Sequence, residues 1–246
     1  MIDFDNYFGS EMIKLNPELL EYSFSELVNL CEEKFTDFEN IQIRLYGGWY
    51  NETALTKQAS ILQQLLSDVK VFPKIKGEKI IHGSIELIST LHEIPDFIWY
   101  YSHKETDGIK RVRINYEAID DICNENRDIC PKFILYNFTE AKNKKCPVNG
   151  CNNLQKNVFK GIEQKMVDTL LVCDVLSFSE DFNINGIILI SDDQDLFPSI
   201  ALAIRRQELN NNKNLQAIIL GIRNEKKHDF IKNFLNPFNI QTIVMP

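Results

Sequence analysis

The sequence predicts an α/β domain with a mainly parallel sheet covered by helices on both faces. Strand-like and helix-like segments alternate from residue 154 onward. The strands in this part, such as 186–191 and 216–222, are continuous apolar runs, as in sheets buried on both faces. The chain has 246 residues, of which 44% are hydrophobic, and is long enough to bury such a core. We therefore expect a single domain over residues 1–246.

The N-terminal part supplies the first elements in order. A very short strand ends at the acids of residues 3–5, and apolar spacing predicts a helix over 18–35. Apolar and polar residues alternate over 41–46, which predicts a strand, and a second helix is expected over 53–68. In the C-terminal part we expect helices at 154–178, 196–208 and 226–235 and strands at 186–191, 216–222 and 240–245.

The middle of the chain, residues 71–153, differs in character and is predicted to be an insertion or subdomain. Short β-rich segments at 97–101, 112–116 and 133–136 and four of the six cysteines fall here. Four thiolates can hold a structural zinc ion. Their spacing lacks the close pair of a zinc knuckle, so free thiols remain the alternative. The cysteines are Cys123, Cys130, Cys146 and Cys151.

Net charge and hydropathy narrow the function classes. The formal net charge of -8 argues against a large nonspecific phosphate-binding face, although a local basic groove remains compatible with it. No apolar stretch approaches the ~18 residues of a membrane span, and the N-terminus is acidic where a signal peptide is basic. We therefore expect a cytoplasmic protein without membrane contact, and the sequence leaves its oligomeric state open.

Acidic residues follow two of the predicted strands. Asp3 and Asp5 end the first strand, and Asp192, Asp193 and Asp195 follow the first C-terminal strand. Because ligands of parallel sheets bind beyond the carboxyl ends of the strands, we expect these carboxylates at one edge. Their hard oxygen atoms suit Mg²⁺ or Mn²⁺. The alternative is that Asp192 or Asp193 only caps the next helix, which accounts for one acid and not three.

A predicted helix adds a further acid. Residues 166–176 are apolar nearly all round, apart from Asp168, Asp174 and a threonine, so a buried helix is expected. A buried carboxylate is costly unless it is paired or binds a metal. Asp168 and Asp174 lie on different faces, and we expect a metal role for the first and a structural partner for the second. The alternative for Asp168 is an ion pair with Lys165, one turn earlier.

Taken together, these motifs resemble the NYN domain of the PIN-like nuclease superfamily. The resemblance covers residues 154–246 well, residues 1–68 weakly and the middle only loosely. Asp192 and Met166 stand where that family commonly has glycine. The matching residues are Asp3, Asp5, Asn6, Lys165, Val167, Asp168, Ser191, Asp193, Asp195, Phe197 and Pro198.

The resemblance implies a PIN-like fold and a metal-dependent ribonuclease whose substrate is RNA. Carboxylates would hold one or two Mg²⁺ or Mn²⁺ ions, which activate water for in-line attack on a phosphodiester. The implied catalytic and metal-binding residues are Asp3, Asp168, Asp193 and Asp195, with supporting roles for Asp5, Asn6, Lys165, Ser191 and Asp192.

Cations and aromatic residues suggest where RNA would bind. Arg44, Trp49 and Tyr50 lie at or just beyond a strand end, where rings and a guanidinium could stack on bases. The alternative is a glycine turn packed by core aromatics. Arg111 and Arg113 are candidate phosphate contacts or simply solvated charges.

Two other functions remain open. A haloacid-dehalogenase-type phosphatase would use Asp3 and Asp5, with Lys165 and the acids after the later strand. Asn6-Tyr7 replaces the small Gly-Thr expected there, and Asp168 has no role in that scheme. The other alternative is a catalytically inactive module that binds RNA or a protein partner, which the net charge and Asp192 leave open.

Overall fold

The chain divides into two compact units, which are described separately. The first comprises Met1–Ser102 and Gln164–Pro246, and the second comprises His103–Glu163. The computed structural model describes residues 1–9, 14–107, 130–140, 145–146, 149–154, 158, 160–164, 166–238 and 240–245. Outside the described residues lie Arg111, Arg113, Cys123 and Lys165, and the predicted strand at 112–116.

The secondary structure alternates between strands and helices, as expected. The strands are β1 (Ile2–Asp3), β2 (Asn40–Tyr46), β3 (Tyr50–Asn51), β4 (Ala54–Leu55), β5 (Lys74–Lys76), β6 (Lys79–Ile88), β7 (His103–Asp107), β8 (Lys160–Gln164), β9 (Gly186–Ile190), β10 (Ala217–Ile222) and β11 (Gln241–Val244). The helices are α1 (Phe4–Phe8), α2 (Pro17–Lys34), α3 (Lys57–Asp68), α4 (Pro131–Glu140), α5 (Val167–Glu180), α6 (Phe197–Leu209) and α7 (Glu225–Leu235). Short 3₁₀ turns lie at Gln194–Leu196 and Asn236–Phe238.

A seven-stranded sheet organises the first unit. Its order is β11-β10-β9-β1-β2-β6-β5, and every pairing is parallel except that of β5 with β6. The chain lays down β1, β2 and β6 outward on one side and then returns to build β9, β10 and β11 on the other. The strand order therefore reverses between β1 and β9, and ligands of open α/β sheets bind at such a switch point.

Helices cover both faces of the sheet, which confirms the predicted α/β class with a mainly parallel sheet. Strand β9 alternates between the two cores: Ile188 and Ile190 face one, whereas Ile187 and Leu189 face the other. Helices α2 and α3 pack on the first face, and α5, α6 and α7 pack on the second. None of the helices that the structure describes is long and apolar enough to cross a membrane.

Two predicted helices start later than expected for local reasons. The Thr56 side chain accepts a hydrogen bond from the Ala59 backbone N–H at 3.2 Å, so α3 begins at 57 and not at 53. The helix predicted from 154 begins at Val167, and residues 160–164 form strand β8 instead. Met166 precedes this helix with a φ of 64°, a left-handed conformation that a continuous helix cannot contain.

The middle segment departs most from its prediction. Residues 133–136, predicted as a strand, lie inside helix α4, because a short apolar run does not separate strand from helix. Pro131 at the first position of α4 favours the helix. Residues 97–101 form no strand. The sheet takes in residues 74–88 as β5 and β6, so the second unit starts at His103, later than the predicted boundary at 71.

Candidate functional site

Asp3 ends β1 at the switch point and is only 4% exposed. It caps α1, because its carboxylate accepts hydrogen bonds from the backbone N–H of Asn6, at 3.3 Å, and from the Asn6 side-chain amide. The Ser191 hydroxyl also donates to it, at 3.1 Å. Burial raises the pKa of Asp3, the hydrogen bonds from Asn6 and Ser191 act against this, and the charge of Asp193 adds to it. Asp3 is thus a carboxylate held in place by hydrogen bonds, and the charge of a second acid already raises its pKa.

The loop after β9 is held by a relay of hydrogen bonds. Ser191 Oγ, which donates to Asp3, accepts from the backbone N–H of Asp193 at 3.1 Å. Asp193 in turn accepts from the backbone N–H of Asp195 at 2.9 Å and caps the 3₁₀ turn Gln194–Leu196. One buried serine therefore orients acids from two strand ends. The capping role considered for Asp193 is real, but it coexists with a position beside Asp3.

Asp192 and Asp5 have other neighbours. One oxygen of Asp192 accepts from the backbone N–H groups of Arg223, at 2.9 Å, and Asn224, at 3.4 Å. Asp192 therefore ties the loop after β9 to the loop after β10, which gives this additional acid a structural role. Asp5 lies in the first turn of α1, where Gln58 donates to it at 3.4 Å.

Asp168 comes from a third segment, the first turn of α5, and is exposed. Partial burial raises its pKa, and the charges of Asp3, Asp193 and Asp195 raise it further. Its carboxylate makes no hydrogen bond or ion pair with any residue that the structure describes. Acids from β1, the loop after β9 and α5 therefore act on one another at the switch point.

The carboxylate oxygens of these acids suit a divalent cation, although the side chains stand farther apart than metal coordination requires. Hard carboxylate oxygens are the ligands that Mg²⁺ and Mn²⁺ prefer, and Asp168 is a carboxylate surrounded by like charge. Across the described ranges, no three or more His, Cys, Asp or Glu side chains stand close enough to hold a metal ion. A cation would thus have to draw the carboxylates of this cluster together.

The comparisons with known proteins name no relative. No protein-family model, curated protein or solved structure matches the chain. Function therefore has to be inferred from the fold and from the chemistry of these residues.

Arg44 belongs to the core, which corrects its expected role in RNA binding. Its guanidinium is buried, forms a 2.7 Å ion pair with Asp174 and lies over the ring of Phe178 at 5.3 Å. The hydroxyl of Tyr46 also donates to Asp174 at 2.7 Å, and the backbone N–H of His92 donates at 2.8 Å. The structural partner predicted for Asp174 is thereby confirmed.

Trp49 is likewise a core residue and cannot stack on a base. Its ring is 1% exposed and packs edge-on against Phe4, and its indole N–H donates to the Leu45 carbonyl at 3.0 Å. Gly47 makes room for this ring, because a Cβ there would lie 2.6 Å from it. The alternative of a glycine turn packed by aromatics is therefore the correct one. Tyr50 is half-buried and packs edge-on against another tyrosine.

The described cysteines of the second unit form one close pair. The backbone N–H of Cys146 donates to the carbonyl of Asn153 at 2.9 Å, two residues after Cys151. A hydrogen bond with the backbone of Asn153, and then one with Cys146, lower the pKa of Cys151. Both are free thiols, as is Cys130. Because Cys123 lies outside the described residues, the four-cysteine zinc site stays a prediction.

An aromatic stripe on α7 was missed at the sequence level. Phe230 and Phe234 are 60% and 55% exposed, and their rings stack with centroids 6.4 Å apart. Lys226 lies one turn before them on the same face. The ring centroids of Phe234 and Phe197 lie 5.9 Å apart. Phe197 closely follows Asp195 in the chain. A lysine and two phenylalanines at four-residue spacing are the signal that could have found this stripe.

Proposed function

We propose that the acids at the switch point bind Mg²⁺ or Mn²⁺ and that the protein hydrolyses RNA phosphodiesters. The proposal rests on one observation: Ser191 links Asp3 to the Asp193 loop, and the charges of these acids raise the pKa of Asp168 from a third segment. Repulsion of this kind is an unfavourable term that a bound cation converts into an attractive one. The resemblance of the same motifs to NYN domains supplies the reaction class.

Each acid has a distinct part in this proposal. A bound divalent ion would supply activation of water and neutralisation of charge on the phosphodiester oxygens. Asp3, fixed by burial and three hydrogen bonds, is the rigid ligand. Asp193 is oriented by Ser191 and by the N–H of Asp195, whereas exposed Asp168 is free to adjust. Ser191 is a positioning residue, because it bonds to both strand ends and needs no contact with substrate.

The backbone before α5 supports the resemblance. Met166 has a φ of 64°, a region that glycine enters without steric cost and other residues rarely occupy. This is a position where NYN domains commonly carry glycine. The conformation that directs Asp168 toward the other acids is thus the one that the family's residue favours.

The aromatic stripe of α7 favours single-stranded RNA as the substrate form. Exposed rings stack on bases of any identity, and a nearby lysine can contact phosphate. Phe230 and Phe234 offer two stacked rings, with Lys226 on the same face. Unpaired bases can reach such rings, whereas those of a duplex remain stacked on one another.

The phosphatase alternative fits the geometry less well. In that scheme the first aspartate attacks phosphorus and must reach the substrate. Asp3 is 4% exposed, and both of its oxygens accept hydrogen bonds. Burial hinders the approach that in-line attack needs, whereas three hydrogen bonds leave one of the roughly four lone-pair positions of Asp3 for a cation.

Cleavage of a labelled single-stranded RNA tests the proposal. We expect wild-type protein to cleave it with Mn²⁺ or Mg²⁺ and to stop when EDTA is added. Asp193→Asn retains an oxygen for the Asp195 N–H and should fold, but turnover should fall by roughly 10²-fold or more. Asp192→Asn is the matched control, because that side chain bonds to backbone beyond β10 and should keep near-full activity.

The other outcomes separate the alternatives. Equal cleavage by wild-type and Asp193→Asn proteins would mean a contaminating nuclease or a different site. Turnover of p-nitrophenyl phosphate with none on RNA would favour the phosphatase. Binding of RNA without cleavage under any divalent ion would favour the inactive binding module.

A further inference from the structure

The segments that follow β2 and β6 carry tyrosines at the same edge of the sheet as the acids. Asp3 of β1 stands level with Tyr46 of β2, and Tyr46 stands level with Ile88 of β6, so the three strands end side by side. Because paired strands lie roughly 4.8 Å apart, β6 is about 10 Å from β1 across the sheet. The tyrosines of these segments are Tyr50, Tyr100 and Tyr101.

The first turn of α3 connects the tyrosine segments to the acids. The side chain of Gln58 donates a hydrogen bond to Asp5 at 3.4 Å, and Asp5 belongs to the helix that follows β1 directly. The backbone N–H of Thr56 donates to the carbonyl of Trp49 at 2.8 Å, one residue before Tyr50. A single helical turn therefore contacts both an acid beside β1 and the first of the tyrosine segments.

Hydrogen bonds on both sides hold the backbone of Tyr101. Its N–H donates to the carbonyl of Glu52 at 3.1 Å. The next residue, Ser102, is buried, and its hydroxyl oxygen accepts from the backbone N–H of Tyr50 at 3.0 Å. The rings of Tyr50 and Tyr100 pack edge-on with centroids 5.1 Å apart. The segment that follows β6 is thereby fastened to the one that follows β2.

The conformation of Tyr101 is unfavourable for its residue type. Its φ is 64°, in the left-handed region that glycine enters freely and that bulky residues rarely occupy. Burial does not offset this strain, because the residue is 58% exposed. Within the part of the chain that the structure describes, the Tyr101 hydroxyl has no hydrogen-bond partner. Backbone strain of this kind gathers where proteins bind ligands, so the exposed ring is a candidate binding group.

We propose that Tyr101, braced by Tyr50 and Tyr100, stacks on an unpaired base of the RNA whose phosphodiester lies at the acids. This subsite rests on the proposed function and adds a further part to the same substrate site. An aromatic ring offers a stacking face to a base of any identity. Stacking also needs no cation, which suits a chain with a formal net charge of -8.

The sheet order puts base-binding groups on both sides of the acids. Helix α7, with its aromatic stripe, follows β10, which lies two strands from β1 on one side, whereas the tyrosines follow β2 and β6 on the other. Lys57, exposed in the first turn of α3, offers a phosphate contact in the turn that connects the tyrosine segments to the acids. A single strand of RNA bound on both sides would be held across the acids, which orients its phosphodiester for attack.

Replacing Tyr101 with glycine tests the subsite with the full chain. The probe is a labelled single-stranded oligouridine, and fluorescence anisotropy in EDTA measures its affinity without cleavage. We expect Tyr101→Gly to weaken binding by roughly fivefold or more, because stacking on this ring is lost. The same variant should raise Tm by about 1–4 °C, because glycine adopts a φ of 64° without strain. A tyrosine with a merely structural role would not give a gain in stability on removal.

Two variants and one further ligand provide the controls. Tyr101→Phe keeps the stacking ring and should bind oligouridine as wild-type protein does. Tyr22→Ala removes a tyrosine of α2 that is 64% exposed and should leave oligouridine affinity unchanged. An RNA duplex of the same length should bind wild-type protein and Tyr101→Gly equally, because its bases remain stacked on one another.

Photocrosslinking locates the bound base in wild-type protein and depends on no variant. An oligouridine that carries 4-thiouridine is irradiated on the protein in EDTA, and the crosslinked peptides are identified by mass spectrometry. We expect crosslinks at Tyr100 or Tyr101, and we expect them to disappear when unlabelled single-stranded RNA competes.

The outcomes separate this subsite from the proposed cleavage. Unchanged oligouridine affinity in Tyr101→Gly, or crosslinks that all lie elsewhere, would overturn the subsite and leave the metal site at the acids in place. A Tm of Tyr101→Gly below that of wild-type protein would also overturn it, because the ring would then serve packing. If wild-type protein has no affinity for oligouridine, the subsite is overturned and the exposed ring is left to a protein partner. Binding that depends on Tyr101 without cleavage in Mn²⁺ would support the subsite and contradict the proposed hydrolysis.

Discussion

Two acids of helix α5 have opposite surroundings. Asp174 is fully buried, and the guanidinium of Arg44 and the hydroxyl of Tyr46 both donate to it at 2.7 Å. Asp168 is exposed, and the neighbours that shift its pKa are the acids Asp3, Asp193 and Asp195. The protein supplies partners for the carboxylate of Asp174, whereas the described residues whose charges act on Asp168 are acids.

The contrast separates a structural charge from a functional one. A buried carboxylate with a cation and two further donors contributes to the fold and needs nothing from solution. A carboxylate at the same sheet edge as other carboxylates is repelled by them, and its charge becomes favourable only when a cation binds there. Both acids are aspartates of one helix, but they lie on different faces of it, so the neighbours that each face meets distinguish them.

The largest expected effect is the loss of the cation beside Asp174. Arg44→Met leaves that carboxylate buried without its ion pair, and we expect a loss of about 3–5 kcal/mol in the free energy of unfolding. Urea denaturation measures it. Arg206→Ala, which breaks the exposed 3.0 Å pair with Glu180, is the control and should cost less than about 1 kcal/mol. Similar losses in both variants would remove the contrast between the two acids.

A smaller effect is expected on RNA binding by the stripe on α7. Replacing Phe230 and Phe234 with alanine should weaken binding of a single-stranded RNA by about 1–3 kcal/mol for each stacked base. Fluorescence anisotropy in EDTA measures affinity without cleavage, and exposed Phe182→Ala is the matched control. Unchanged affinity in the double variant would mean that RNA binds elsewhere on the protein. It would not contradict the metal site proposed at the acids.

The smallest effect concerns pH and the repulsion at Asp168. Because partial burial and neighbouring acids raise its pKa in the folded state, its ionisation disfavours folding. The favourable contribution is present below the unfolded pKa of 3.8 and is lost as pH rises through the folded pKa. Asp168→Asn should therefore stabilise the metal-free protein at pH 7, by less than about 1 kcal/mol because the group is exposed.

That gain should shrink as the pH falls toward 4 in urea titrations containing EDTA. Asp96→Asn, which changes an exposed acid away from the cluster, should show no such trend. A loss of stability at pH 7 in Asp168→Asn would instead support the ion pair with Lys165 that was the alternative for this residue.

The sequence predicted the features that follow from strand pattern and strand ends. Continuous apolar runs such as 186–191 predicted the parallel sheet, and strand-end position predicted that Asp3 and Asp193 would be neighbours. Both results depend on local periodicity and on one general rule about parallel sheets.

The features that were missed depend on long-range packing or on single backbone angles. Arg44 reads as a surface cation, and its burial becomes evident only when α5 brings Asp174 to it. The left-handed φ of Met166 interrupts the helix predicted over 154–178, and no hydrophobic periodicity encodes this angle.

The most direct test of the account compares Mn²⁺ binding by the wild-type protein and by Asp168→Asn. Binding is measured by the change in Tm and by isothermal titration calorimetry. The account predicts that saturating Mn²⁺ raises the Tm of wild-type protein, since ~2.7 kcal/mol is gained at 100 times Kd. The Asp168→Asn variant should start level or slightly higher, gain much less and bind at least tenfold more weakly. Equal Mn²⁺ affinity and equal Tm gain in both proteins would contradict a metal site at these acids.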